Sequence, residues 1–363
     1  MKQTILQKKG GKRFLRRTLI VMVLLLLCLP ILTQAVETGD TMSEPGHFRY
    51  EGVTLCPGGC AFGVKFSTKG VLVVGLSAVK SEGKDVNPAE EAGIKIKDIL
   101  LKINGAEVNS VREVSEAVTE SGGKPLSLTV ERGGKSKELT LTPVKTKEGY
   151  RAGMWLRDST AGIGTVTYVN PETGEFGGLG HGICDVDTGA LMPLKRGSAM
   201  KVEIGGVIKG QVGKPGEIKG YFKPERCGNV LCNTVCGVFG VFSEVPQGIS
   251  EAIPVGSRYE ITEGEAEIIC TLGDDGPQHY TVHISKIDRK GNDNKNFVIT
   301  VTDATLKERT GGIVQGMSGS PIIQNGKLVG AVTHVLINDP AKGYGIFIEN
   351  MLNAANIPMA KAS

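Results

Sequence analysis

The 363-residue chain is predicted to be mainly β, with two consecutive β-rich units behind an apolar N-terminal segment. Three observations predict this. Glycine is abundant at 51 residues while aromatic residues make up only 5%, a composition suited to short strands joined by tight turns. Short apolar runs such as Val71–Val74 and Phe297–Val301 sit between turn-forming residues and read as strands. Two further β-rich runs, 326–334 and 343–349, follow a glycine-flanked turn at Gly316–Ser320. The length fits about two domains, each long enough for a packed core.

Residues 1–17 carry seven basic side chains and no acid, so they form a basic head. Removing those seven from the formal charge leaves 35 basic against 38 acidic residues. The body is therefore slightly acidic, and nucleic-acid binding is not expected. Thr18–Leu32 is an uncharged run of 15 residues. A full span usually takes about 20 apolar residues, so the run fits a secretory segment better. Extended through Val36 it approaches a tilted helix. Residues 18–36 are thus expected to be a signal peptide or an uncleaved membrane anchor with its basic end inside.

Residues 37–51 are polar and aperiodic, and read as an exposed linker open to proteolysis. Export would permit disulfides, and seven cysteines lie beyond the apolar segment. Their pairing cannot be read from spacing. CGNVLCNTVC, residues 227–236, lacks C-x-x-C spacing and would need a fourth ligand from elsewhere, so no metal site is expected. No cofactor motif is present. The absence of HExxH excludes an intramembrane metalloprotease.

In residues 52–145, Pro88–Gly93 reads as a short helix opened by proline and closed by glycine. Asp98–Ile103 is a strand ending in the Asn104-Gly105 turn. Ser110 caps an amphipathic helix to Glu120, with Val111, Val114, Ala117 and Val118 on one face. Leu126–Val130 and Glu138–Leu141 form a strand pair. This order resembles a PDZ domain, most specifically in PAEEAGIKIKDILLKINGAEV. The resemblance implies a peptide that adds as an extra strand, with its carboxylate held by backbone N–H groups. The loop is expected within Gly59–Val64, and Phe62, Gly63 and Val64 are the peptide-binding candidates.

Residues 146–363 are rich in short strands. Gly316-Met317-Ser318-Gly319 bends the chain so that one serine is exposed beside converging N–H groups, as acyl transfer requires. Ser320 precedes a proline that leads into the apolar Ile322-Ile323, so Ser318 is the expected nucleophile. A GxSGxP turn followed by two β-rich runs resembles the C-terminal barrel of chymotrypsin-like serine peptidases. That implies a double β-barrel in which the strand after the nucleophile lines the cleft. His181, set between glycines far upstream of Ser318, is the candidate general base. His334 follows the serine by one hairpin and could line the cleft.

Basic head, apolar segment, PDZ-like unit and a peptidase domain with GLGHGICDVDTG and QGMSGSPI together resemble the stage IV sporulation protein B family. Its members are exported serine peptidases of endospore-forming bacteria. The resemblance implies a triad of His181, Asp303 and Ser318, with the N–H groups of Gly316 and Ser318 as oxyanion donors. Asp303 stands at the end of an apolar strand. Asp185 and Asp187 are alternatives for the acid, and capping the turn before Ala304-Thr305 is an alternative role for Asp303. The resemblance also implies location between the membranes around the forespore and self-cleavage near the N-terminus. It further implies cleavage of a membrane-bound inhibitor of an intramembrane protease. Two other readings are a general extracytoplasmic quality-control PDZ protease and a non-catalytic membrane-tethered adaptor.

Overall fold

A computed structural model describes residues 48–355. The expected basic head, the apolar segment and most of the linker lie outside the described residues. No described helix is long and apolar enough to cross a membrane.

From the N-terminus, β1 (Thr54–Pro57) leads into the long β2 (Ala61–Leu76). The hairpin β3 (Val79–Ser81)–β4 (Lys84–Val86) precedes helix α1 (Pro88–Glu91). Next come β5 (Ile99–Ile103), β6 (Ala106–Glu107), α2 (Val111–Glu120), β7 (Leu126–Arg132) and β8 (Lys135–Leu141). Two short strands, β9 (Val144–Thr146) and β10 (Gly149–Arg151), lead to β11 (Met154–Val169). After β12 (Glu175–Gly178), the long hairpin β13 (Leu194–Ile208)–β14 (Glu217–Thr234) and β15 (Gly237–Phe242) complete the first half. The second half holds β16 (Ile253–Pro254), β17 (Gly264–Thr271), β18 (Pro277–Ser285) and β19 (Phe297–Val301). It ends with α3 (Ala304–Thr310), β20 (Pro321–Gln324), β21 (Lys327–Leu336), β22 (Asp339–Phe347) and α4 (Ile348–Ala355).

Two closed barrels result. The first runs β2–β11–β12–β15–β14–β13 and back to β2, each pair antiparallel. Phe62, Val64, Phe66, Val166, Phe176 and Phe242 fill it. The second closes as β17–β18–β19–β22–β21–β20 around Ile268, Val282, Phe297, Ile299, Val332 and Phe347. Alternating inward side chains of this kind close a barrel without leaving an edge.

The PDZ unit grows out of the first barrel. The first half of β2 pairs with β11 and β13 in the barrel, while Val71 and Leu72 pair with β5. Similarly, Met154–Arg157 of β11 pair with the PDZ end of β2, and Ser159–Thr165 pair with its barrel end. The register slips between them, where Gly70 takes a φ of 74°. A Cβ there would lie 2.8 Å from the Leu100 carbonyl oxygen, so the crossover needs glycine. Residues 52–145 and 146–363 are thus consecutive along the chain, yet both contribute strands to one barrel.

Locally the PDZ signals are realised. Asn87 caps α1, with proline in its first turn, and Ser110 and Glu113 form a reciprocal capping box on α2. Buried Asp98 pairs with Arg132, Oδ1 to Nε at 2.6 Å, beside the PDZ core of Val71, Val114, Leu128 and Val130.

Candidate active site

The nucleophile turn is clamped between the barrels by β11. Thr165 donates its N–H to the Ser318 carbonyl at 2.9 Å and its hydroxyl to the Gly316 carbonyl at 2.8 Å. Thr167 donates its hydroxyl to the Gly319 carbonyl at 2.8 Å. On the other side Gly319 N–H donates to Val332 O at 2.8 Å. A Cβ on Gly319, whose φ is 96°, would fall 2.0 Å from Thr165 O; no other residue fits. Met317 N–H is taken by Val314 O and the Met317 side chain is buried. The N–H groups of Gly316 and Ser318 have no partner among the described residues. They stand free to donate, as main-chain donors to an oxyanion must.

Ser318 is partly exposed, and its hydroxyl donates to the Thr333 carbonyl at 2.7 Å. Ser320 is fully buried, with a hydroxyl oxygen that has no partner.

His181 follows β12 beside the strand after the nucleophile, and among the described residues no hydrogen bond joins its ring to the Ser318 hydroxyl. Leu179 and Gly180 both adopt left-handed backbone, with φ of 67° and 64°. Leu179 N–H donates to Thr165 O, which ties the bend to the strand that clamps the serine. A Cβ on Gly180 would lie 3.0 Å from the Thr333 side chain, so the turn packs directly on the strand after the nucleophile. Asn233 pins the next residues, accepting Ile183 N–H and donating to the carbonyls of Ile183 and Met192. The His181 Nδ1 lies 2.9 Å from Gly182 O. A carbonyl only accepts, so Nδ1 carries the proton and the Nε2 lone pair is available as a base. Burial lowers the His181 pKa, and the Gly182 carbonyl partly opposes that. The ring is therefore neutral near pH 7.

The structure does not bring Asp303 to His181. Its side chain accepts Leu306 N–H at 2.8 Å and caps helix α3, and its charge bears on Cys270 and Tyr280. This is the helix-cap alternative. Asp185 and Asp187 are engaged elsewhere too. Burial pushes the Asp185 carboxyl up, but Thr188 and Arg157 hold it below the usual carboxylate range. Asp187 meets Arg157 at 2.8 Å. Among the described residues no carboxylate bonds the His181 ring.

The expected carboxylate loop is also corrected. Phe62, Gly63 and Val64 lie near the start of β2, all three paired to β11 and Gly63 and Val64 also to β13. Phe62 and Val64 point into the first barrel's core, and a Cβ on Gly63 would lie 2.4 Å from the Phe222 ring. No peptide can add there. Another opening lies between α2 and the start of β11. It is a cleft of about 280 Å³ lined by Val114, Ser115, Val118, Tyr150, Gly153 and Met154. Met154–Arg157 pair with β2 on one edge only, and Gly153 has a φ of 74° and an N–H without a partner. The sequence signal was the Tyr150-Arg151-Ala152-Gly153 stretch, which lies beyond the last PDZ-like strand.

His334, expected from the sequence to line the cleft, packs beside His181. Its ring centroid lies 4.9 Å from that of His181, and its Nδ1 is buried without a hydrogen bond. The seven described cysteines are free thiols, and no group of three or more metal-ligating side chains occurs among the described residues.

The PDZ domain description matches residues 61–142. The chain is 42% identical over 60 residues to a probable protease eep of Enterococcus faecalis, covering 16% of this chain and 14% of that protein. It is 43% identical over 56 residues to serine protease HTRA1 of Xenopus laevis, covering 15% and 12%. These relatives are thus matched over a small part of their own length. Among solved structures, the active form of the Rv3671c protease of M. tuberculosis aligns with a TM-score of 0.34 at 13% identity, over 56% of this chain and 79% of that one. The HtrA-type protease AlgW with a decapeptide aligns with a TM-score of 0.32 at 15% identity, over 58% and 57%. The description of the SpoIVB peptidase S55 matches residues 148–352, more than half of the chain and the part that holds His181 and Ser318, so the chain belongs to the SpoIVB peptidase S55 family of serine endopeptidases.

Proposed function

We propose that this serine endopeptidase is an exported regulatory enzyme that cuts its own N-terminal region and a membrane-bound regulatory protein. Ser318 Oγ attacks the scissile carbonyl and passes its proton to His181 Nε2. The oxyanion is received by the N–H groups of Gly316 and Ser318. The C–N bond then breaks, and the proton moves from His181 to the departing amine. Water attacks the acyl-enzyme with His181 again as base, which restores the Ser318 hydroxyl. The imidazolium formed in each half is held by the Gly182 carbonyl. The PDZ groove beside α2 docks an extended peptide end and so governs which chains reach the serine.

The observation that carries this reading is that the N–H groups of Gly316 and of Ser318 itself are unpartnered in the turn that presents the Ser318 hydroxyl. The regulatory part rests on the family resemblance and on the polar 37–51 linker, a segment suited to cleavage. The test is an active-site phosphonate applied to the full chain, with the modified residue located by mass spectrometry. Ser318 is expected to carry the label, and the Ser318→Ala chain is expected to stay unlabelled and at its longer size. If that variant is shortened like the wild type, another enzyme makes the N-terminal cut. Rapid degradation of diverse unfolded proteins would favour a quality-control role instead.

A further inference from the structure

A cleft of about 400 Å³ opens beside Gly316, and the chemistry described above does not use it. Its walls are Gly162 and Ile163 of β11, one face of β14, and Gln315-Gly316. Strand alternation puts Ile218, Gly220 and Phe222 on that face of β14. Gly220 hollows the space: a Cβ there would lie 2.9 Å from the Ile163 side chain. The wall is continuous with the nucleophile turn, because Gln315 donates to Gly216 O and accepts Ile218 N–H, both at 2.8 Å. Glu217 and Lys219 at the rim carry opposite charges, so the cleft selects by shape and apolarity.

The side of the scissile bond follows from the strands. Beyond Val332, β21 has β22 on one edge and no strand partner on the other. That free edge, Thr333–Val335, begins at the carbonyl that holds the Ser318 hydroxyl, so the acyl half of a peptide lies along it. The cleft shares no residue with that edge. Gly162 and Ile163 instead shortly precede Thr165, which clamps Ser318 and Gly316 from the opposite side.

We propose that this cleft seats a bulky apolar side chain of the peptide substrate on the leaving-group side of the scissile bond, with Ile163, Ile218 and Phe222 as its specificity-determining residues. The proposal rests on the serine-peptidase reading of Ser318.

The test partitions the acyl-enzyme between water and added amino-acid amides. The full chain is acylated with an activated N-acyl amino-acid ester in the presence of glycinamide, leucinamide or phenylalaninamide. Capture breaks the Ser318 ester bond and forms an amide bond to the acceptor nitrogen, whose proton returns through His181 to Ser318 Oγ. Leucinamide and phenylalaninamide are expected to capture the acyl group about tenfold to a hundredfold better than glycinamide, the range a well-filled apolar pocket gives. Ile163→Ala and Phe222→Ala remove walls of the cleft and should each lower that ratio. Equal capture of large and small amides by an enzyme that acylates normally would overturn the pocket, as would a preference that both Ile163→Ala and Phe222→Ala leave intact. Failure of Ser318 to acylate at all would overturn the serine-peptidase reading and the pocket with it.

Discussion

The rings of His181 and His334 lie 4.9 Å apart, tilted by 36°. No acid bonds either of them among the described residues. Burial, then the charges of His181 and Lys295, push the His334 pKa down to about 4. His334 is therefore neutral wherever His181 works as a base, and it acts as the apolar lid of the catalytic ring. His334→Ala opens the His181 face to water, so the desolvation that lowers the His181 pKa is relieved and that pKa rises. The acid limb of kcat/KM should move to higher pH in the Ala variant and stay near the wild-type position in His334→Phe, which keeps an aromatic cover. Coincident profiles for wild type and Ala would show that His334 does not bury the base.

The same residue couples pH to stability. Its folded pKa, about 4, lies below the unfolded value of about 6.5, so the unfolded chain binds the extra proton between the two. Stability contributed by neutral His334 is full above about pH 6.5 and is lost as pH falls toward 4. Chemical denaturation from pH 7 to 4 should show a shallower decline for His334→Phe than for wild type. Parallel declines would place the acid sensitivity in other groups.

Ser318 and Ser320 separate by environment. Removing the Ser318 hydroxyl should lower turnover by roughly 10⁶, the scale seen when a serine nucleophile is removed. Ser320→Ala deletes a buried oxygen that has no partner, and an unsatisfied buried hydroxyl costs about 1–3 kcal/mol. That variant should keep its turnover and unfold at an equal or higher urea concentration. Loss of phosphonate labelling in Ser320→Ala, with labelling retained in Ser318→Ala, would reverse the assignment.

What was legible in the sequence followed local rules. The Ser110 cap, the Pro88 start and the Gly316–Gly319 turn are set by residues within a few positions of one another, so pattern reading reached them. The misplaced features depend on long-range pairing. Gly59–Val64 looks like a glycine-bearing loop, yet residues 162–165 of β11 pair with its residues 61–64 and residues 199–200 of β13 pair with Gly63 and Val64. The groove beside α2 uses the first residues of β11, which come after the PDZ-like stretch has ended. Nothing local distinguishes an aspartate that orients a histidine from one that caps a helix. The Asp303 side chain found its donor three residues ahead, at Leu306.

Asp303→Asn decides between those roles. Asparagine caps helices about as well as aspartate, whereas alanine loses about 1 kcal/mol. Helix α3 ends at Gly311 in left-handed backbone and hands the chain to the nucleophile turn, so the cap steadies the approach to Ser318. As a cap, Asp303→Asn should keep activity within a few-fold and Asp303→Ala should lower the unfolding midpoint. A fall in turnover near 10⁴ for Asn would return the acid role to Asp303, since a triad acid loses about that much when it becomes an amide.

Strand β11 joins substrate docking to catalysis. Its first residues line the groove beside α2, and Thr165 and Thr167, on the same unbroken strand, hold the carbonyls of Gly316, Ser318 and Gly319. A peptide added along Met154–Arg157 would stiffen the strand that fixes the oxyanion turn. Ser115 is exposed on α2 and faces that groove. Ser115→Trp should fill the groove without disturbing the PDZ core. The rate for a long peptide with a free C-terminus, relative to that for a small ester, should then fall about tenfold, the effect of losing roughly 1.4 kcal/mol of docking. Gly63→Leu is different in kind. Its side chain would strike the exposed Phe222 ring on the outer face of β2, and overpacking of this sort costs about 1–3 kcal/mol. It should therefore lower the unfolding midpoint and both rates together. If Gly63→Leu instead spared stability and abolished only peptide docking, the groove would have to be moved back to β2.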